Sequence, residues 1–170
     1  MAKKRGEDAK KEEIKSEEIP PKEPKRVAAG ESPQAALGQA IWVAMHSPSH
    51  RHLFLADLEW AMIPPVRLRQ IRFFGEKNAI DGFATWAMVS EEVEKRLLTG
   101  NRRLAPTDWR SGDRAWLIDL VAPTEAAAKA AVGEIKGRIF AEKPFHMLVP
   151  SKDGKGLVGA EIKVSDKPKC

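Results

Sequence analysis

The chain has 170 residues, with 29 Lys/Arg against 24 Asp/Glu, a net charge of +5 and a sequence pI near 9.4. Its one cysteine is the terminal Cys170, which excludes an intrachain disulfide framework and fits a reducing compartment. No apolar run approaches the ~20 residues of a membrane helix, and the mild positive charge is no strong nucleic-acid footprint.

Residues 1–31 read as a disordered, charged tail. Residues 1–30 alternate Lys and Glu blocks around Pro20, Pro21 and Pro24, with nine Lys/Arg and seven Asp/Glu. So little apolar surface cannot offset the entropy of ordering the chain. The segment after Met1-Ala2-Lys3-Lys4-Arg5 is acidic rather than apolar, so it is no secretory signal and a cytoplasmic location is expected. Residues 32–165 form one domain, large enough to bury roughly 68–70% of its unfolded surface without staples, and 166–170 a short C-terminal tail.

Within the domain, Ser32-Pro33 is a helix start, and Ala36, Leu37, Ala40, Ile41, Ala44 and Met45 keep helical spacing to about His46. Ser47-Pro48 repeats the signal, predicting a second short helix with His50 and Arg51 in its first turn and Leu53, Phe54 and Leu58 facing inward. Ile63-Pro64-Pro65 should break it. Residues 67–74 and 79–89 read as an antiparallel hairpin around a turn at 75–78. Ser90 caps a helix to about Leu98, and 99–113 is a polar loop. The apolar run 115–122 suits a strand buried on both faces. Thr124 opens a helix over 125–140. A strand at 145–149 completes a βαβ unit with a parallel pair, and 157–164 alternates as a last strand after a turn at 152–155. The fold class is therefore α+β (mixed α/β), a central mixed β-sheet flanked by helices.

Asp119 stands out as a carboxylate inside an apolar strand, which is costly unless paired. It is either half of a functional pair or a satisfied structural acid. His50, near the end of an apolar helix, could supply the other half, because a His and an Asp brought together form a minimal general-base unit. Taken alone, His50 reads as a capping or core histidine more readily than as a base. His46-x3-His50 has a metal-like spacing, but Ser47-Pro48 breaks the helix between them and no Cys joins them, so no metal is expected. Ser47 could be a nucleophile, yet the Gly-x-Ser-x-Gly elbow is absent and a helix cap is the better reading. Trp42, Trp86, Trp109 and Trp116 read as core or groove residues, and Trp60 is ambiguous.

The ordered set Ser47-Pro-Ser-His50-Arg51, Pro64, Trp86, and Asp108-Trp-Arg-Ser-Gly-Asp-Arg-Ala-Trp-Leu-Ile-Asp119-Leu-Val-Ala-Pro123 resembles the toxin-activating lysine acyltransferases, the haemolysin-activating proteins of RTX toxin systems. The resemblance covers roughly residues 36–164 and weakens after Pro123. It implies a GNAT-like acyltransferase fold and transfer of a fatty acyl group from acyl carrier protein to a lysine ε-amine of an RTX protoxin. It carries the family's essential histidine onto His50, its aspartate onto Asp119, and a serine of interest onto Ser47. No cofactor is bound; the donor is acyl-acyl carrier protein, linked through phosphopantetheine. Arg51, Arg114 and Trp116 are candidates for carrier or substrate binding, within a wider basic set of Arg67, Arg69, Arg72, Arg102, Arg103 and Arg110. Homodimerisation is left open. The rival reading is a non-catalytic interaction module of the same fold, binding acyl carrier protein or a toxin-like partner. A nucleic-acid binder is a weaker third.

Overall fold

Ser32 sits in extended backbone and its hydroxyl accepts the Ala35 N–H at 3.1 Å, opening helix α1 (Pro33–His46) with proline in the first turn. Ala36, Ala40, Val43 and Ala44 form its buried stripe, small enough for the helix to lie close on the sheet. The computed structural model describes residues 32–76, 79–141, 143–151 and 156–163. The expected tails, 1–31 and 166–170, and the expected turn at 152–155 lie outside those residues.

After α1 the chain departs from expectation. Residues 47–52 form a run of turns rather than a helix, followed by a short 3₁₀ turn at Leu55–Asp57 and a one-turn helix α2 (Leu58–Ala61). Leu53 and Leu58 pack inward as expected, but Phe54 is 78% exposed. α2 stops at Ala61, just ahead of the expected break at Ile63-Pro64-Pro65, but the two prolines then begin a further helix, α3 (Ile63–Leu68), in place of loop. The N–H that proline lacks is unused in a first helical turn. Arg69, at φ 56°, then closes α3 in the left-handed region, so strand β1 begins only at Ile71 (Ile71–Glu76). Strand β2 (Ala79–Val89), helix α4 (Glu91–Leu98, capped by the Ser90 hydroxyl) and strand β3 (Arg114–Val121) agree closely with the sequence reading. The crossover helix α5 stops at Glu134 and continues as a π-helical turn to Ile139. Strands β4 (Phe145–Pro150) and β5 (Leu157–Ile162) finish the sheet.

The five strands lie in the order β1-β2-β3-β4-β5. All neighbours are antiparallel except β3 and β4, the parallel pair joined through α5. This is the expected α+β architecture with a mixed sheet. Helices cover both faces. On one, Phe83 and Val121 pack with Ala40, Val43, Ala44 and Met62, while Ala87, Val89 and Trp116 pack with Val93, Leu97, Leu104 and Trp109. On the other, Ala84, Ala115 and Leu117 meet Ile135, Phe140 and Phe145.

Two irregularities in β3 position the site. The first is a bulge. Thr85 pairs with Asp119 and Trp86 with Leu117, leaving Ile118 without a partner on β2. Ala115 and Leu117 face the α5 side, and Trp116 and Ile118 the α4 side. Strict alternation would return Asp119 to the α5 side. The extra residue instead puts Asp119 on the same face as Ile118, with Leu120 opposite and Val121 against α1. An inserted residue resets which face every later side chain takes. The second irregularity is a splay: β3 and β4 pair only at Trp116↔His146 and Leu117↔Met147. Bulge and splay begin at the same place, and the sheet opens beside Asp119.

Candidate active site

His50 lies in the turn that leaves α1. Ser47 closes the helix by donating its N–H to the Ala44 carbonyl, and its own carbonyl accepts the N–H groups of His50 (3.1 Å) and Arg51 (2.9 Å). That tight turn sets the imidazole edge-on to Phe83, 6.5 Å between ring centroids, and leaves the side chain 13% exposed. Phe83 is itself 1% exposed, so the ring rests on fixed core.

His50 Nε2 donates to Asp119 Oδ2 at 2.8 Å, joining residues 69 apart in sequence. Asp119 also accepts the Leu120 N–H at 3.0 Å and Arg102 Nη2 at 3.4 Å on its other oxygen. Three N–H groups aimed at one carboxylate make it the acceptor, so Nε2 carries the hydrogen of the neutral imidazole and Nδ1 holds the free lone pair. Around Nδ1 lie the hydroxyls of Ser47 and Ser49, each at 2.9 Å and 3.1 Å from one another. The hydroxyl of Ser47, expected as a helix cap, therefore turns to the imidazole. His46 does not join the site: its Nδ1 donates to the Trp42 carbonyl at 2.8 Å.

Arg102 reaches Asp119 from the 99–113 loop and also donates to the Ile118 carbonyl at 3.2 Å. The loop is held by buried Leu104 and Trp109, by the Met88 N–H donating to the Trp109 carbonyl, and by Asp108 accepting Arg96 and the Ala105 N–H. Gly112 donates its N–H to Met88 and packs so closely on Val89 and Ser90 that a Cβ there would meet backbone at 2.5 Å. The sequence places Arg102 only in the basic docking set, because nothing near it in sequence points to Asp119; the loop's closure brings the two together.

Two cavities meet at Ser49, His50, Arg102, Ile118 and Asp119. One, of about 300 Å³, occupies the splay between β3 and β4, with Leu117, Leu120, Met147 and Leu148 in its wall. The other, of about 160 Å³, runs between Leu53, Trp60, Ala61 and Trp109. Trp60, ambiguous in sequence, is thus a wall of the site. Its indole N–H donates to Asp57 Oδ1 at 3.1 Å, and the Arg103 guanidinium lies 5.6 Å from its ring centroid. Asp57 is held below the usual aspartate range, first by the Phe54 N–H it accepts and then by the Trp60 indole.

Of the other sequence candidates, Arg51 is exposed in the same turn. Arg114 and Trp116 lie at the opposite end of β3. Arg114 pairs with Glu94 and Glu91, and the Trp116 indole donates to Glu94 Oε1 at 3.0 Å. Trp116 is 1% exposed and stacks on His146 at 5.3 Å. Neither lines the two cavities at His50. Among the described residues no helix is long and apolar enough to cross a membrane.

The sequence profile of the RTX toxin acyltransferase family matches residues 30–163. The chain is 30% identical over 108 residues to the lysine-acyltransferase RtxC of Vibrio cholerae, a match covering 63% of this chain and 70% of that protein. It is 34% identical over 87 residues to the leukotoxin-activating lysine-acyltransferase LktC of a Pasteurella haemolytica-like species, covering 51% of this chain and 53% of that one. With the protein-lysine myristoyltransferase HlyC of Escherichia coli it shares 33% over 91 residues, 54% of this chain and 52% of that protein. The matched stretch thus spans about half the length of the last two relatives.

Proposed function

The chain belongs to the RTX toxin acyltransferase family, and from that premise we propose that it transfers a fatty acyl group from acyl carrier protein to a lysine ε-amine of an RTX protoxin in the cytoplasm, with His50 as general base and Asp119 as its positioning partner. The observation that carries the reading is the 2.8 Å contact from His50 Nε2 to Asp119 Oδ2 at the junction of two cavities.

A free lysine has a pKa near 10.4, so only about 0.04% is the neutral nucleophile at pH 7. His50 answers that deficit. Because Asp119 occupies Nε2, the proton leaves the amine toward Nδ1, and the amine must arrive from the side of Ser47 and Ser49. Either hydroxyl yields its contact to the amine or relays the proton through it. The amine nitrogen bonds to the thioester carbon, and the carbonyl electron pair moves to oxygen. The backbone of β3 beyond Leu117 has no partner on β4, and an N–H there other than that of Leu120, which Asp119 accepts, is the candidate donor to that oxyanion. Collapse breaks the carbon–sulfur bond, and the imidazolium returns its proton to the thiolate, leaving an amide and a free thiol. Asp119 stabilises the imidazolium between the two transfers. No acyl-enzyme is needed. The exposed Arg51, near the site, is a docking candidate for an acidic carrier. We give Arg114 and Trp116 a different task, fixing the closed end of the β3–β4 pair.

The test is intact mass of a protoxin fragment incubated with fatty-acyl carrier protein, with and without the enzyme. A gain of one acyl group is expected, and His50→Ala should remove it while circular dichroism stays unchanged. Acylation by His50→Ala near the parent rate would show that another group is the base. Carrier binding with no transfer by the parent would favour the interaction-module reading.

A further inference from the structure

The two cavities at His50 are chemically unlike. The larger one lies in the sheet opening, where the polar groups of Ser49, His50, Arg102 and Asp119 outweigh the apolar side chains that β3 and β4 add to its wall. The smaller one adds Leu53, Trp60, Ala61 and Trp109 to those same groups. A thioester donor is also unlike at its two ends. One arm carries amides; the other is hydrocarbon; the reacting carbonyl joins them. Of the two, the smaller has the more apolar wall, with two indoles in it, and so removes more hydrocarbon from water.

Building on the acyltransferase reading, we propose that the cavity between Leu53, Trp60, Ala61 and Trp109 receives the acyl chain, and that Trp60 sets how much of it is enclosed. Trp60 is fitted to gauge length because it is fixed at two points. Asp57 holds its indole N–H at 3.1 Å, and Arg103 covers its ring at 5.6 Å. Trp109, 1% exposed, is equally immobile in the core. A cavity of about 160 Å³ is close in size to the ~150 Å³ apolar void that takes up benzene, so about six carbons are enclosed. Carbons past that point leave the protected space beside Trp60. The enclosed stretch is what the enzyme measures; the remainder adds little discrimination.

The experiment is calorimetric titration of the full chain with saturated acyl-pantetheines of four to sixteen carbons, alongside transfer from the matching acyl carrier proteins. Affinity should rise about fourfold per methylene through roughly the sixth carbon and then level off. In Trp60→Ala the rise should continue to longer chains, with Trp60→Phe intermediate. Ala61→Leu, which fills the cavity, should bring the plateau to shorter chains. These opposite shifts cannot come from loss of fold, and a misfolded Trp60→Ala leaves Ala61→Leu to decide. Affinity independent of length in the parent, or one length profile shared by parent and variants, overturns the proposal. Length-dependent binding without transfer would sink the acyltransferase reading and leave the pocket standing; transfer with an unshifted profile in the variants would do the reverse.

Discussion

The two ends of β3 carry nearly the same constellation. At one end Asp119 takes a ring N–H from His50 and a guanidinium contact from Arg102. At the other Glu94 takes a ring N–H from Trp116 at 3.0 Å and Arg114 Nη1 at 2.6 Å. Three differences separate the proposed active site from a structural clasp. The Glu94 side chain is 10% exposed and Asp119 is 23% exposed. Trp116 sits where β3 and β4 still pair, whereas Asp119 sits where they have parted. Most tellingly, an indole has no second nitrogen, while an imidazole held at Nε2 keeps a lone pair at Nδ1. A carboxylate and a ring are therefore not enough; the leftover nitrogen and the space beside it decide what the pair can do.

The deepest loss is expected from a change at Asp119. Asp119→Asn keeps the shape and the Arg102 side of the site. Its amide can donate, which turns the hydrogen of His50 toward Nδ1 and removes the base. Transfer should fall by about 10²–10⁴-fold, read as initial rate of mass gain, with unchanged thermal unfolding. A rate within a few-fold of the parent would mean that Asp119 does no more than Glu94 does. The mirror experiment is Glu94→Ala. It leaves a buried indole N–H without a partner, which costs about 1–3 kcal/mol, measured by urea unfolding. The protein that remains folded should transfer at close to the parental rate. Loss of transfer in fully folded Glu94→Ala would make the clasp part of the site.

How much of this was legible follows the same division. The α4 cap at Ser90, the strand 114–121 and the parallel return at 145–150 are announced by local rules, a capping hydroxyl and apolar runs of strand length. Asp119 stands out because a carboxylate interrupts an apolar strand, His50 because it follows an apolar helix, and the family resemblance supports their pairing. The bulge was invisible, because Ala115–Val121 is apolar on both faces except at Asp119, and alternation cannot be counted where nothing alternates. The region 47–70 misled for another reason. Ser-Pro and Pro-Pro are start and stop signals alike, and only packing chose turns at 47–52 and a helix at Ile63–Leu68. Arg102 and Trp60 owe their roles to contacts made by loop closure, which leave no periodicity.

Arg102 should matter less than Asp119. Its contact to Asp119 is long, 3.4 Å, and its side chain is 43% exposed. Exposed pairs are worth about 0.2–1 kcal/mol, so Arg102→Leu should slow transfer by no more than roughly fivefold. Arg102→Lys should recover part of that, since the charge returns without the fork. A loss as deep as that of Asp119→Asn would promote Arg102 from steadying the carboxylate to meeting substrate.

The smallest effect concerns the wall rather than the base. The Phe54 N–H and then the Trp60 indole hold Asp57 below the ordinary aspartate value. A carboxyl whose folded value is lowered stabilises the fold above its unfolded value and loses that contribution as pH falls through the folded one. The difference in thermal midpoint between the parent and Asp57→Asn should therefore be small, greatest near neutrality, and shrink toward zero in acid. Glu91 is lowered too, by Lys95 first, but it titrates in both proteins and cancels from the difference. The length dependence of acyl-pantetheine binding should blur over the same acid range, because protonated Asp57 no longer anchors Trp60 as a charged acceptor. A midpoint difference that is constant with pH would mean that Asp57 holds the wall through shape alone.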